Sequence, residues 1–358
     1  MLLIKSNNFV TSSNLCYNKE GFSWTNSVQD TCIYADPGIR SLKEIGLIFG
    51  EEFSDLIPEN YKKSATLLKT SPPWGLYIGG AKFKSLINKQ VEAYESLLEN
   101  HEKLDVEFHA KINSFIDSLK PAKFNTALLT SDMRSHKHFE RIVAPNMLDG
   151  KMMRPIYART KTKTGRLSVI DGPNVLTMHS DLRKGVVDGY SIDFVSIEPN
   201  VLLVDQGRSP RTDIYDQIRQ EVFDGKQSRA KVKIAVMSAL YGSGRKDAFA
   251  GKVEDYFQVN KQIEKLTLKV KDDTIRNKFG RLISLDGATG KHLLALWLQS
   301  TAADAALYGF YNFSKEVDIS PYWIIHDGLI FIYNDKQKHV THLDAGLETR
   351  LPVKVEKL

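Results

Sequence analysis

The chain has 358 residues, 42% of them hydrophobic, with 49 Lys plus Arg against 43 Asp plus Glu and a formal charge of +6. This composition is typical of soluble globular proteins, and the length suits two or three packed units or one multi-lobed domain. The positive charge favours an anionic partner without identifying it, and the only two cysteines, Cys16 and Cys32, indicate neither a disulfide framework nor a zinc site.

Two features of the sequence argue against a membrane or secreted protein. No apolar stretch approaches the roughly 20 residues that a membrane helix needs. The apolar start Met1–Ile4 runs at once into Lys5 and polar residues, which is too short for a secretion signal. We therefore expect a cytoplasmic protein with no membrane partner.

The first half of the chain changes character along its length. Residues 1–84 show no sustained hydrophobic period, and no motif in them assigns a function. Between Lys82 and Leu119 the apolar residues fall near helical spacing, which predicts two helices joined near Lys103–Asp105. Residues 151–200 carry β-branched and aromatic residues between turn formers, and this pattern predicts strands.

The second half is predicted to be helical and then to end in a hairpin. Residues 213–277 have a mainly helical pattern, and a further helix is expected over roughly Gly290–Lys315. Tyr322 to Tyr333 predicts a hairpin with Asp327-Gly328 near its turn.

One predicted helix carries a row of residues four positions apart: Arg229, Lys233, Met237 and Tyr241. Residues at this spacing share one face of a helix. Arg229 can grip phosphate oxygens in bidentate fashion and Lys233 offers a mobile point charge, so the row predicts a triphosphate site. The alternative is a surface helix with two solvated cations and a half-buried tyrosine. A second face is apolar and is expected to anchor the helix to its domain, through Val232, Ala235, Val236, Ala239 and Leu240.

Two aspartates lie in strand-like surroundings. Asp193 ends a β-like run, and Asp327 lies within an apolar hairpin. Phosphoryl transfer through two divalent ions uses carboxylates that hold the metals ~3.5–4 Å apart, and oxygen ligands suit magnesium better than zinc. The alternatives are a plain type I′ turn at Asp327-Gly328 and an ordinary strand-end acid at Asp193.

Taken in order, these elements resemble the polymerase domain of the family A DNA polymerases. The resemblance covers the chain from about residue 85 to the C terminus. The elements that carry it are Thr164–Ser168 with Pro173-Asn174, then Asp193 with Ile197-Glu198, then the row that begins at Arg229, then His326-Asp327. Supporting similarities are Asp213–Tyr215, Phe279–Arg281, Gln299–Asp304 and Leu351–Glu356.

The resemblance implies an α+β fold shaped as a right hand, with an antiparallel-sheet palm, helical fingers and a helical thumb. The implied domains are an N-terminal region of unknown role at 1–84, the thumb at 85–150, the first part of the palm at 151–212, the fingers at 213–279 and the second part of the palm at 280–358.

The resemblance also implies roles for single residues. Asp193 and Asp327, with the backbone carbonyl of Phe194, are implied ligands of two Mg²⁺ ions, for which Mn²⁺ is a substitute. The implied contacts to the dNTP are Arg229, Lys233, Met237, Tyr241 and Glu198. Lys233 is in addition an implied proton donor to the leaving group, and Tyr241 with Glu198 forms a gate that excludes a ribose 2′ hydroxyl.

Contacts to primer–template DNA are implied for Arg166, Asn174, Gln299 and His326. Arg166, Gln299 and His326 would face minor-groove acceptors, which occur at every base pair and are read without regard to sequence. The alternative for Gln299 and His326 is a satisfied polar residue at a packed helix or turn.

The implied function is template-directed extension of a primer 3′ end with dNTPs, in replication or repair, by a compact phage-like enzyme of the bacterial or phage-infected cytoplasm. Asp105-Val106-Glu107 opens a helix and is not read as a proofreading site, so we expect no intrinsic 3′–5′ exonuclease. A separate processivity or exonuclease partner is expected instead, and residues 1–84 are the region proposed to bind it.

Several positions depart from the family pattern. Met237 is more typical of phage-type RNA polymerases, so an RNA polymerase or primase-like enzyme is the alternative. Glu198 argues against that alternative because a long acid at the gate leaves no room for a 2′ hydroxyl. Gly328 replaces an acid that commonly follows the second aspartate. Pro199-Asn200 replaces a Leu-Arg pair, and from this second replacement we expect lower local rigidity. A third alternative is a catalytically weak subunit that holds primer–template for another protein.

Overall fold

The computed structural model describes residues 1–38, 40–242 and 249–358, and it divides the chain into two compact units, Met1–Asp117 and Ser118–Leu358. Each unit combines helices with antiparallel strand pairs, in agreement with the predicted α+β class. Within the described residues, no helix is long and apolar enough to cross a membrane.

The first unit has four strands followed by five helices. Their bounds are β1 (Leu2–Ile4), β2 (Asn14–Asn18), β3 (Gly21–Thr25), β4 (Ile33–Tyr34), α1 (Leu42–Phe49), α2 (Glu59–Leu67), α3 (Trp74–Ile78), α4 (Gly80–Asn100) and α5 (Lys103–Ser118). The strands form one sheet in the order β3-β2-β1-β4, in which only the β1–β4 pair is parallel among the described strand pairs. The two helices predicted between Lys82 and Leu119 are confirmed as α4 and α5.

One core holds the first unit together. Leu2 of β1, Leu42 of α1, Leu97 of α4 and Val106 of α5 are buried in the same apolar cluster. The residues before position 84 therefore share a core with the two helices that follow. The predicted division at residue 84 lies inside this compact unit.

The second unit contains the remaining elements. Its strands are β5 (Ala122–Lys123), β6 (Met147–Leu148), β7 (Lys151–Met152), β8 (Ile156–Ala158), β9 (Ser168–Asp171), β10 (Tyr190–Phe194), β11 (Thr274–Arg276), β12 (Leu282–Ser284), β13 (Ile319–Ile325), β14 (Gly328–Tyr333), β15 (His342–Asp344) and β16 (Arg350–Lys357). Its helices are α6 (Ser131–Arg134), α7 (Ile197–Asp205), α8 (Ile214–Phe223), α9 (Arg229–Tyr241), α10 (Ala250–Tyr256), α11 (Val259–Thr267) and α12 (Gly290–Glu316).

These bounds confirm several predictions and correct one. The long helix from Gly290 and the β13–β14 hairpin are present, and the described residues of 213–277 are mainly helical, although 274–276 form β11 and 243–248 lie outside the described residues. The prediction of strands in 151–200 is confirmed at β8 and β10 but was wrong between β9 and β10, where Val175–Thr177 and Ser180–Gly185 form 3-10 turns. Pro173 lacks the amide proton that a strand ladder needs, and the turns instead satisfy their backbone locally, as in the bond from Thr177 N to Asn174 O.

A five-stranded antiparallel sheet, in the order β13-β14-β10-β16-β15, is the centre of the second unit. One face packs on α12, where the Phe194 ring lies 5.5 Å from the Phe310 ring. A Cβ on Gly309 would stand only 2.5 Å from the Phe194 ring, so glycine at that position lets the helix approach β10. Because strand side chains alternate, Asp193 lies on the other face of the sheet.

A buried charge cluster joins three distant segments of the second unit. Asp304 of α12 is fully buried and accepts two hydrogen bonds from Arg281, Nε to Oδ2 at 2.7 Å and Nη2 to Oδ1 at 2.9 Å. Arg159, which follows β8, donates from Nη2 to Asp304 Oδ1 at 2.9 Å. Asn277 Nδ2 adds a further bond of 2.9 Å to Oδ2. One carboxylate thus holds two buried guanidinium groups, a network that sequence reasoning did not find.

The turn at Gly165 lies directly on this cluster. Gly165 has φ of 72°, and a Cβ there would stand 2.5 Å from the guanidinium carbon of Arg281. Only glycine therefore fits both the backbone conformation and the space. This packing accounts for glycine at position 165, next to Arg166.

We expect Asp304→Ala to lower the free energy of unfolding by about 3–5 kcal/mol, because removing the shared anion leaves two buried arginines without their charge partner. Urea denaturation followed by circular dichroism measures the change. Asp335→Ala is the matched control, since Asp335 is exposed and its loss should cost less than about 0.5 kcal/mol. Equal unfolding free energies for the two variants would show that the cluster does not stabilise the fold.

Candidate active site

The two predicted metal-binding aspartates meet where β10 and β14 pair. Asp193 is directly opposite Gly328 in the strand register, and Phe194 N donates to Asp327 O at 3.0 Å. A Cβ on Gly328 would overlap the carboxylate of Asp193 and stand 3.1 Å from its Cγ. The absence of an acid at position 328 therefore has a local physical reason, because the space above Gly328 is filled by Asp193.

The two carboxylates influence each other electrostatically. Burial raises the pKa of Asp193, and the negative charge of Asp327 raises it further. A hydrogen bond from Ser191 and the positive charge of Arg183 act in the opposite direction. Arg183 comes from the 3-10 turn at Ser180–Gly185, and no sequence motif marked it. A divalent cation beside the two acids would relieve the repulsion between them.

The hairpin turn that carries Asp327 is not the type I′ turn considered as an alternative. Ile325 pairs with Gly328, so His326 and Asp327 are the loop residues and Gly328 belongs to the strand. His326 has φ of 56°, whereas Asp327 does not have positive φ. A type I′ turn needs positive φ at both central residues. Holding a histidine in the left-handed region costs roughly 1–3 kcal/mol, and such strain is common at functional sites.

A cavity of about 370 Å³ opens beside Asp327. Three alanines of α12, Ala302, Ala303 and Ala306, form part of its apolar wall. Five predicted site residues from separate segments of the chain also line it, namely Arg166, Glu198, Gln299, His326 and Asp327. The fold thus brings together side chains that are far apart in sequence around one space beside Asp327, whereas Asp193 does not line it.

Asn174 is the predicted nucleic-acid contact that does not line this cavity. It is exposed at the start of the 3-10 turn Val175–Thr177, where its carbonyl accepts from Thr177 N and Thr177 Oγ1. Its neighbour Leu176 does line the cavity. The turn therefore borders the site while the side chain of Asn174 lies outside it.

Glu198 lies between an arginine and a tyrosine. Arg166 Nη2 donates to Glu198 Oε1 at 2.6 Å. On the other side, burial raises the pKa of Tyr241, and the adjacent Glu198 carboxylate raises it further. Among the described residues, the buried Tyr241 hydroxyl has no hydrogen-bond partner of normal geometry. Glu198 also belongs to the first turn of α7, where the positive end of the helix dipole favours an acid.

Helix α9 has the two faces that the sequence predicts. It begins at Arg229 after Ser228, whose side chain accepts from Lys231 N, and it ends before Gly242 in the left-handed conformation. All five residues of the predicted anchoring face are buried: Val232, Ala235, Val236, Ala239 and Leu240. On the other side Arg229 and Lys233 are exposed, and Met237 is 38% exposed.

The two cations of α9 differ in their surroundings. Arg229 Nε is 3.0 Å from Asp213 Oδ2, and its guanidinium lies 5.2 Å from the centre of the Tyr215 ring. Among the residues that the structure describes, Lys233 makes no ion pair. Lys233 is thus available to an anion as it stands, whereas Arg229 has to exchange Asp213 for one.

A buried asparagine, not singled out as a site residue, fixes the helix that carries Glu198. Asn200 is fully buried, and its Nδ2 donates to Val195 O at 2.8 Å and to Arg211 O at 3.1 Å. Its Oδ1 accepts from Arg211 N at 2.7 Å. Asn200 thus ties α7 to the segments on either side, and these bonds act against the loss of rigidity expected at Pro199-Asn200. A polar amide inside an apolar helix was the available signal, since such a group has to be satisfied.

Comparisons with known proteins give similarity in structure but none in sequence. No protein-family model matches the sequence, and no curated protein matches it. Among solved structures, the fold is similar to the polymerase domain of Pol1 from M. smegmatis in complex with DNA primer-template and dNTP. The TM-score is 0.43 and the identity 14%, and the match covers 88% of this chain and 63% of that one, less than two thirds of its length. The function is therefore inferred from the geometry of this chain's own residues.

We expect Gly328→Ala to weaken divalent-cation binding at least about tenfold, because the added methyl group would displace the carboxylate of Asp193. Titration with Mn²⁺ followed by electron paramagnetic resonance measures the affinity. Gly251→Ala is the matched control, since a Cβ at Gly251 meets no atom within 4 Å. The same Mn²⁺ affinity in both variants would mean that the Asp193 carboxylate at Gly328 is not part of a metal site.

Proposed function

We propose that this protein is a template-directed DNA polymerase that extends a primer 3′ end with dNTPs by phosphoryl transfer. The observation that carries the proposal is that Asp193 of β10 lies next to Asp327 of the β13–β14 turn, and that Asp327 lines a cavity together with Arg166, Glu198 and Gln299. Paired carboxylates next to cationic and polar side chains are what nucleotidyl transfer through divalent ions requires.

The residues at the strand ends fit a divalent cation with oxygen ligands. Asp193 and Asp327 would hold Mg²⁺ with the backbone carbonyl of Phe194, and the raised pKa of Asp193 reflects in part a repulsion that such a cation removes. Within the described ranges, no group of three or more His, Cys, Asp or Glu residues could hold a metal, so the protein would supply two carboxylates. When bound, the ions would stabilise charge on the attacking and leaving oxygens.

The exposed face of α9 would bind the triphosphate. Arg229 would leave Asp213 and grip phosphate oxygens in bidentate fashion, while the ring of Tyr215 keeps its guanidinium in place. Lys233 lies one turn further along the same face and would neutralise the leaving pyrophosphate and give it a proton. Met237 would border the nucleotide on the next turn.

Glu198 and Tyr241 would select the sugar of the incoming nucleotide. The Glu198 carboxylate lines the cavity, where it is held by Arg166 on one side and borders Tyr241 on the other. A ribose 2′ hydroxyl would meet this carboxylate, whereas a deoxyribose would not. Arg166, Gln299 and His326 line the same cavity and would contact the primer–template minor groove, with Asn174 at its border.

The proposed function implies the division of a right hand. The five-stranded sheet with the turn at Gly165 would be the palm, contributed by residues 151–212 and 280–358, and the helices of 213–279 would be the fingers. Residues 85–150 would form the thumb. We propose no intrinsic exonuclease, because Asp105 and Glu107 lie on α5, where Glu107 pairs with Lys103 at 3.6 Å. Proofreading and processivity would come from separate partners, in phage or bacterial replication or repair.

One observation favours a second candidate function. Met237 lies partly exposed on the proposed nucleotide face of α9, as is typical of phage-type RNA polymerases, so an RNA polymerase or primase-like enzyme is the alternative. Glu198 in the cavity wall favours the DNA enzyme. A subunit that only holds primer–template is less favoured, because both aspartates and both cations of α9 are present.

We expect Asp193→Ala and Asp327→Ala each to reduce primer extension by a factor of about 10³ or more, because each removes half of the charge that would hold the metal. Duplex binding should change little, since neither acid attracts phosphate. A primer-extension gel with Mg²⁺ and dNTPs measures the first effect and a gel shift the second. Asp335→Ala should extend like the unaltered chain. Normal extension by either active-site variant would contradict the assignment.

We expect Glu198→Ala to admit ribonucleotides, lowering the preference for dNTPs over rNTPs by about tenfold or more. The physical reason is the removal of the carboxylate that would oppose a 2′ hydroxyl. Single-nucleotide incorporation with each type of substrate gives the ratio, and Glu264→Ala on the exposed side of α11 is the control. An unaltered chain that already prefers rNTPs would instead support the RNA polymerase alternative.

A further inference from the structure

The first unit has an unusual distribution of charge along its sequence. Residues 60–91 contain six lysines and no acidic residue, whereas the other 85 residues of the unit contain 6 cations and 15 acids. Folding places this stretch on α2, α3 and the start of α4. The unit is acidic as a whole, but this part of it should attract anions.

Aromatic rings lie among these lysines in a continuous row. The rings of Tyr61 and Tyr77 are 5.8 Å apart at 81°, and those of Trp74 and Tyr77 are 5.8 Å apart at 63°. All three residues are half-buried. Lys82 Nζ lies 5.0 Å from the centre of the Tyr61 ring and donates to its hydroxyl at 3.1 Å. Part of each aromatic residue thus remains accessible beside a positive charge.

Two open depressions border the row of rings. The first, of about 490 Å³, is lined by Lys62, Lys69 and Trp74 together with the polar side chains of Asn7, Thr66, Thr70 and Ser71. The second, of about 400 Å³, is mainly apolar and is lined by residues that include Phe9, Leu76, Phe83 and Lys84. Among the described residues, Lys69 and Lys84 make no ion pair, while Lys62 pairs with Asp55 at 2.9 Å.

We propose that this lysine–aromatic surface binds single-stranded nucleic acid, with phosphates on the lysines and unpaired bases on the rings. The surface is defined by Tyr61, Lys69, Trp74, Tyr77, Lys82 and Lys84. Cations that track a backbone, combined with rings on which bases stack, are the two elements of sequence-independent single-strand binding. Duplex DNA would use only the lysines, because its bases are stacked inside the helix. The hydroxyl and amide groups of the larger depression add hydrogen-bond partners for phosphate or base edges.

This inference goes beyond the proposed polymerase function and does not depend on it. Binding at the lysine–aromatic surface needs neither a divalent cation nor a nucleoside triphosphate. It can therefore be measured in EDTA, where no primer extension takes place.

The first test is anisotropy of a labelled oligo(dT) of about 20 nucleotides, which cannot form a duplex, with the full chain in EDTA. We expect Lys69→Glu/Lys84→Glu to weaken binding about fivefold or more. The slope of log K against log salt should also become less steep by about 1.4, or about 0.7 for each of two lost phosphate contacts. Both lysines are exposed, so the substitutions should leave the fold intact.

Lys269→Glu/Lys336→Glu is the matched control, because it makes the same change in net charge at two exposed lysines of the second unit. The proposal requires this control to bind oligo(dT) more tightly than the Lys69/Lys84 variant. Equal binding by the two variants overturns it. Equal binding together with lysine-dependent sedimentation on phosphatidylserine vesicles would assign the surface to an anionic membrane instead.

A second measurement reports on the rings. Trp297 and Trp323 are 2% and 0% exposed, so in a Trp24→Phe background Trp74 is the accessible tryptophan. We expect oligo(dT) to quench the fluorescence of Trp74 in that background, and Trp74→Phe to remove the quenching. Trp74→Phe should lower the affinity for oligo(dT) less than Lys69→Glu/Lys84→Glu does. Oligo(dT) binding without any quenching would refute base stacking at this surface.

The results separate this proposal from the polymerase proposal. Oligo(dT) binding that depends on Lys69 and Lys84 in a chain that never extends a primer would support the surface and refute the polymerase. Primer extension that depends on Asp193, together with an oligo(dT) affinity that does not change when Lys69 and Lys84 are substituted, would support the polymerase and refute the surface.

Discussion

The shared carboxylate of Asp304 is the interaction on which the arrangement of the second unit depends. It is fully buried, and it holds Arg159 and Arg281 from segments on either side of the site. A buried carboxylate with two guanidinium partners permits few alternative packings, because any shift leaves a charge uncompensated. Gly165 packs against Arg281, so the position of the turn that carries Arg166 depends on this cluster.

A second constraint acts at the sheet. Asp193 occupies the space above Gly328, and a backbone hydrogen bond from Phe194 N to Asp327 O lies at the end of the β10–β14 strand pair. The positions of both acids therefore depend on the strand register, because a shift of one residue would move the side chains of β10 to the other face of the sheet. Positive φ values at Ser196 and His326, of 47° and 56°, flank these acids and indicate that the surrounding structure holds strained turns in place.

Charge is distributed unequally between the two units. Residues 1–117 carry 12 cations against 15 acids, whereas residues 118–358 carry 37 against 28. The excess positive charge thus belongs to the unit that contains the candidate active site, and it favours an anionic partner there. In the first unit, six of the twelve cations lie in residues 60–91 together with aromatic rings. This stretch should attract anions even though the unit as a whole is acidic.

The sequence by itself determined the mainly helical character of the described residues in 213–277, the long helix α12, the final hairpin and the two faces of α9, because hydrophobic periodicity acts over a few turns of one element. It also marked Asp193 and Asp327 as a pair, through the resemblance and not through spacing. Only the tertiary structure decided that Asn200 bonds α7 to its neighbouring segments, that the charge of Arg183 acts on Asp193, that Gly328 makes room for a carboxylate and that Asp304 joins two arginines. Each of these contacts joins residues from different segments of the chain, and a sequence pattern within one segment carries no information about which side chains meet across the fold.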